Sequence, residues 1–146
     1  MITFADSSAI VKLYVDEEGH RDVRRLGLLV VSSLARVEVP SAFWRKQRAG
    51  QLSVEDAEVL TGAFEADYFG TPTLEPRFVA VAPTDVVLDQ AARMAATHGL
   101  RAYDAVQLAS AVAARGRSEE AARFAAFDRH LRVAATDEGF LPVPAA

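Results

Sequence analysis

The sequence contains no cysteine, which excludes a disulfide framework and any thiolate-held metal, and leaves a reducing compartment allowed. It has little positive charge to spare: sixteen Lys and Arg stand against twenty Asp and Glu, for a formal net charge of -4. Tight nonspecific binding to nucleic acid by a globally basic surface is therefore disfavoured, and any basic patch has to be local. No purely apolar stretch approaches the roughly twenty residues that span a bilayer, so no membrane segment is expected. The first fifteen residues carry Asp6 and Lys12 inside the apolar pattern and lack the basic-then-apolar order of a signal peptide. The expectation is a cytoplasmic protein. There is no GxxxxGK and no GxSxG motif, which leaves P-loop nucleotide hydrolysis and serine hydrolase chemistry without support.

What is present is a regular alternation of strand and helix patterns. Residues 2–5 read as a short strand, followed by Asp6-Ser7-Ser8 as helix-capping chemistry and a helix with Ile10, Leu13 and Tyr14 on one face. Leu28 to Val31 reads as a second strand, and Ser32-Ser33 caps a helix bearing Leu34, Val37, Glu38 and Trp44, which Pro40 is expected to kink or delay. Ser53 to Asp56 has the form of a capping box opening a helix with Ala57, Leu60, Phe64 and Tyr68 inward. Phe78 to Ala82 is a third strand; the next helix follows Pro83-Thr84-Asp85, turns Leu88, Ala91, Ala92 and Ala95 inward and stops at Gly99. Asp104 heads a further helix that ends at Gly116, and residues 123–127 form a fourth strand with Asp128 directly after it. A short helix to Gly139 and an edge strand at 140–143 close the chain. With 146 residues and no repeat or linker, the pattern predicts one domain, a three-layer α/β/α sandwich with a mostly parallel central sheet.

In open parallel sheets the working crevice lies beyond the carboxyl ends of the strands, where Asp6 and Asp128 are expected. Glu38, on the helix after the second strand, and Asp104, in the first turn of its helix, are placed to join them. Taken singly, Asp6 reads as a turn or cap residue, Glu38 as a solvated helix acid, Asp104 as a dipole partner and Asp128 as a loop acid. Their joint placement is the signal. Carboxylates brought together raise one another's pKa unless a cation compensates, and an all-oxygen donor set without a histidine cluster suits magnesium or manganese more than zinc. Such ions activate water and stabilise the leaving oxygen in phosphodiester cleavage. His20, His98 and His130 are isolated and are given no role. Arg21, Arg24 and Arg25, or Arg45, Lys46 and Arg48, are candidate phosphate contacts. A haloacid-dehalogenase-type phosphotransferase needs a second aspartate where Ser8 stands, and a receiver-type domain needs a late lysine that the second half lacks.

Four segments carry a more specific likeness. Phe4-Ala5-Asp6-Ser7-Ser8-Ala9-Ile10-Val11-Lys12-Leu13-Tyr14, Ser32-Ser33-Leu34-Ala35-Arg36-Val37-Glu38-Val39, Leu100-Arg101-Ala102-Tyr103-Asp104-Ala105-Val106-Gln107-Leu108-Ala109 and Phe127-Asp128-Arg129-His130-Leu131 resemble, in order and spacing, the acid motifs of the PIN-domain family. Within that family they are most similar to the ribonuclease toxins of VapBC-type toxin-antitoxin pairs. The resemblance implies a PIN-like fold and a metal-dependent endoribonuclease in which Asp6, Glu38, Asp104 and Asp128 hold Mg2+ or Mn2+ and Ser7 assists. It also implies an RNA substrate, a cognate VapB-like antitoxin and a homodimer. Two positions depart from the family's pattern: Ala126 stands where a serine or threonine is common, and Pro40 follows Glu38 by two residues. The alternative reading is a noncatalytic PIN-like module that binds RNA or protein.

Overall fold

Alternate residues of the central strands face opposite ways, and both faces are apolar, so each strand is built to be covered twice. Phe4, Val30 and Phe124 point into one core with Met94, Leu108 and Leu131, while Ala5, Leu29, Val31 and Ala125 point into a second with Ile10, Val39, Phe43 and Phe64. The Phe4 and Phe124 rings stack at 5.3 Å, tying the two central strands together on the first face. In a computed structural model, which describes residues 1–145, this pattern resolves into β1 (Thr3–Ala5), α1 (Ser7–Val11), α2 (His20–Arg24), β2 (Leu29–Ser32), α3 (Ala35–Arg48), α4 (Val54–Phe69), β3 (Phe78–Val81), α5 (Asp85–His98), α6 (Ala102–Arg117), β4 (Arg123–Ala125), α7 (Arg129–Asp137) and β5 (Leu141–Val143). The sheet order is β3-β2-β1-β4-β5, and every pairing is parallel. The result is a three-layer α/β/α PIN-like sandwich. No helix among the described residues is long and apolar enough to cross a membrane.

The chain winds outward from β1 through β2 to β3, then returns to the other side of β1 with β4 and β5. The winding therefore reverses between β1 and β4, which opens a crevice at their carboxyl ends. Asp6 and Asp128 stand at that edge.

Several local expectations are corrected. The helix after Asp6 is one short turn ending at Val11, with Asp6 itself as its cap, and α2 had no sequence signal strong enough to be expected. Asp104 lies in the first turn of α6 and does not head it; the cap position is Arg101. Gly116 does not stop α6, which runs to Arg117 before Ser118 turns extended, because Gly116 has no positive φ to force an exit. Gly99, at φ 65°, does end α5. On α5 the inward residues are Val87, Ala91 and Met94, and Leu88 is exposed, a rotation of one position. β4 ends at Ala125, so Ala126 and Phe127 separate it from Asp128. Pro40 lies inside α3 without interrupting or delaying it.

Candidate active site

Asp6 leaves β1 in an extended conformation and caps α1: its Oδ1 accepts the backbone N–H of Ala9 at 3.0 Å and the Ser8 hydroxyl at 2.7 Å. Asp128 does the same for α7, its Oδ2 accepting from the Leu131 N–H at 2.9 Å. The cap role and the site role are compatible, since a cap fixes the carboxylate at the start of its helix and uses one oxygen. Glu38, in the first turn of α3, places Oε1 between two donors: the Ser7 hydroxyl at 3.0 Å and Gln107 Nε2 at 2.7 Å. Asp104 stands 3.7 Å from the Arg101 guanidinium, which is itself 86% exposed.

All four acids line one cavity of about 250 Å³, together with Ser7, Ser8, Val11, Ala42, Arg45, Arg101 and Gln107. The structure thus brings every predicted acid, and Ser7, to one place. A larger cavity of about 490 Å³ lies against β2, β3 and the facing ends of α5 and α6. It is lined almost wholly by apolar side chains and holds no carboxylate, so it offers no comparable chemistry.

Burial pushes the Asp6 carboxyl up to about 7, against the pull of its Ser8 and Ala9 hydrogen bonds, and Asp104 and Glu38 push it in the same direction. Glu38 is raised by burial and by Asp104, opposed by Gln107 and Ser7. Asp104 is raised by burial and by the charge of Asp128, opposed by Arg101 and His130. Asp104 thus couples electrostatically to the other three, on top of the larger effect of burial.

Among the described residues no group of three or more His, Asp or Glu side chains is placed as a ready-made metal cage. Asp6, Glu38 and Asp128 each turn one oxygen to a protein donor, while Asp104 makes only the 3.7 Å ion pair with Arg101. No protein hydrogen bond among the described residues engages Asp6 Oδ2, Glu38 Oε2 or Asp128 Oδ1, so hard oxygen donors remain. Magnesium keeps several waters and is held by one or two carboxylates, a demand this donor set meets without a closed cage.

No protein-family model and no curated protein matches this sequence. Among solved structures, PAE2754 from Pyrobaculum aerophilum superposes with a TM-score of 0.63 at 21% identity, over 99% of this chain and 85% of its own. FitAcB from Neisseria gonorrhoeae does so with a TM-score of 0.60 at 20% identity, over 93% and 94%. The fold is PIN-like. At such identities the likeness is one of fold alone, and within this PIN-like frame the chemistry has to be argued from the side chains.

The basic candidates separate clearly. Of these candidates Arg45 borders the carboxylate cavity, joined there by Arg101, which was not among them. Lys46 and Lys12 are both committed to Glu17, and Arg24 pairs with Asp16. Arg21 and Arg25 line a separate cavity, with Asp16, Glu17, Glu18 and Asp22. Of the histidines, His98 pairs with Glu138, His20 Nδ1 meets the Glu17 carbonyl and His130 Nε2 meets the carbonyl of His98.

One site residue had no sequence signal of its own. Gln107 is 2% exposed, three residues after Asp104 on the same face of α6, and its amide nitrogen serves both Ser7 Oγ at 3.1 Å and Glu38 Oε1. The opposite amide orientation would set two acceptors against each other, so the carboxylate decides which end faces it. Its Oε1 is buried with no hydrogen-bond partner among the described residues, at a cost of about 1–3 kcal/mol.

Proposed function

We propose that this chain is a Mg2+- or Mn2+-dependent endoribonuclease. The observation that supports it most is the convergence of Asp6, Glu38, Asp104 and Asp128 on one cavity at the reversal point of a parallel sheet. The four acids carry -4 between them when ionised and the two bordering arginines +2, leaving -4 + 2 = -2 at the mouth. A phosphodiester would be repelled from that surface, and one divalent cation offsets the excess. Asp6, Glu38, Asp104 and Asp128 would hold the ion; when bound, it supplies an acidified water and charge stabilisation for the leaving oxygen. The chain's own contribution is to fix those oxygens from two helix caps, Asp6 and Asp128, and two helices, with Ser7 steadying Glu38. Arg45 and Arg101 take up phosphate charge at the rim.

The PIN resemblance at the four acid motifs extends this reading to a toxin restrained by a cognate VapB-like antitoxin and acting as a homodimer. The absence of a ready-made cage among the described residues favours the other reading, a noncatalytic module that binds RNA or protein. Activity separates them. Purified chain free of any antitoxin is expected to cut single-stranded RNA with Mg2+ or Mn2+ and to stop in chelator. Asp104→Asn should lower the rate by at least about a hundredfold, the scale on which loss of one site charge acts, with an unchanged far-UV dichroism spectrum. Cleavage undiminished by chelator, or RNA binding with no cleavage in any divalent ion, would sink the proposal.

A further inference from the structure

Glu38 differs from the other acids in how it is held. Asp6 and Asp128 are fixed by backbone N–H groups of their own helices, but among the described residues no main-chain donor holds the Glu38 carboxylate. Its Oε1 is held by two side chains from other elements, Ser7 of α1 and Gln107 of α6. Ser7 in turn accepts from Gln107, so the three residues form a closed triangle with Gln107 as the donor to both of the others. Gln107 is the buried member, flanked on α6 by the buried Val106, Leu108 and Ala109. An apolar residue would suit that stretch better, and the orphaned Oε1 of Gln107 shows that the amide is not kept to satisfy the interior. With Oε1 doubly engaged, only Oε2 of Glu38 is left for a ligand.

We propose that Gln107 is a positioning residue that pins Glu38 Oε1 and so presents Oε2 as a single-oxygen donor to the divalent cation. This inference rests on the metal-dependent reading of the site. Partners of a metal-ligating side chain commonly change metal affinity by about 10–100-fold when removed, because the ligand must otherwise be ordered at the moment of binding.

The test is Mn2+ binding to the metal-free chain by titration calorimetry, in the wild type and in Gln107→Leu, Glu38→Gln and the double variant. Gln107→Leu is expected to bind about tenfold or more weakly, and the double variant no more weakly than Glu38→Gln alone, since Gln107 acts through Glu38. Ser110→Ala, which removes a buried hydroxyl bonded to the Val106 carbonyl one turn further along α6, reports on packing and should bind like wild type. Should Gln107→Leu fail to fold, Ser7→Ala removes the other donor and is expected to weaken binding by a smaller factor than a tenfold loss. Wild-type affinity in Gln107→Leu, additive losses in the double variant, or an equal loss in Ser110→Ala each overturn the proposal. A wild type that binds no Mn2+ overturns the metal-dependent reading itself, a distinguishable result.

Discussion

Asp6 is 5% exposed at the end of β1, and burial lifts its carboxyl from 3.8 to about 7. A carboxyl whose folded value lies above its unfolded one holds its proton more tightly in the folded chain. Its contribution to stability is therefore full below the unfolded value and is lost as pH rises through about 7. Glu38 and Asp104, shifted in the same direction, add to that slope. The metal-free protein is accordingly expected to melt lower at pH 8 than at pH 5. Asp6→Asn stays neutral and retains an acceptor of the kind that caps helices. Thermal melts should show it flatter with pH than wild type and more stable at pH 8; a steeper slope in the variant would contradict burial as the cause. Pro40 lies inside α3, which runs through it, and Glu38 keeps both of its donors. Ala126, the departure noted two positions before Asp128, is wholly buried in the core there.

At the scale of elements, α3 and α6 each carry one acid, and the cavity is bordered by one arginine beside each, Arg45 and Arg101. RNA affinity measured in chelator should fall in Arg45→Ala and Arg101→Ala, with the slope of log affinity against log salt reduced by about 0.7 for each phosphate that is no longer neutralised. Arg48→Ala, away from the cavity, should leave the slope unchanged. Elsewhere the capping box predicted at the start of α4 is present, with Ser53 Oγ accepting from Asp56 N–H at 3.0 Å and the Asp56 carboxylate accepting from Ser53 N–H at 3.3 Å. Ser53→Ala should cost about 1 kcal/mol, a drop of roughly 3 °C in melting temperature, with RNA cleavage unaffected because α4 contributes nothing to the cavity. The α5 face shows where periodicity runs out. Positions 87, 91 and 94 and positions 88, 91, 92 and 95 both fit a helical stripe, and only packing against α6 selects the first.

For the whole molecule, the parallel sheet draws the four acids to one edge at the expense of placing like charges together. A divalent ion that binds only the folded chain should raise its stability by RT ln(1 + [L]/Kd), about 2.7 kcal/mol at a hundredfold excess over Kd. The gain should be larger at pH 8 than at pH 5, because protons compete for the same oxygens. Equal thermal shifts with Mg2+ at both pH values, or none at either, would argue against carboxylate ligation.

The strand-helix alternation and the capping chemistry at Asp6 and Ser53 were legible in sequence because each is local: period, cap and turn signals act within a few residues. The position of Asp6 at the end of β1 was legible for the same reason, whereas Asp128, expected directly after its strand, stands beyond the end of β4 as the cap of α7. What only the tertiary structure decided is long-range: the reversal between β1 and β4, the choice of Arg45 and Arg101 over the other basic residues, and the triangle of Ser7, Glu38 and Gln107. Gln107 lies 100 residues from Ser7 and 69 from Glu38, and no local pattern marks a buried amide whose partners arrive from two other helices.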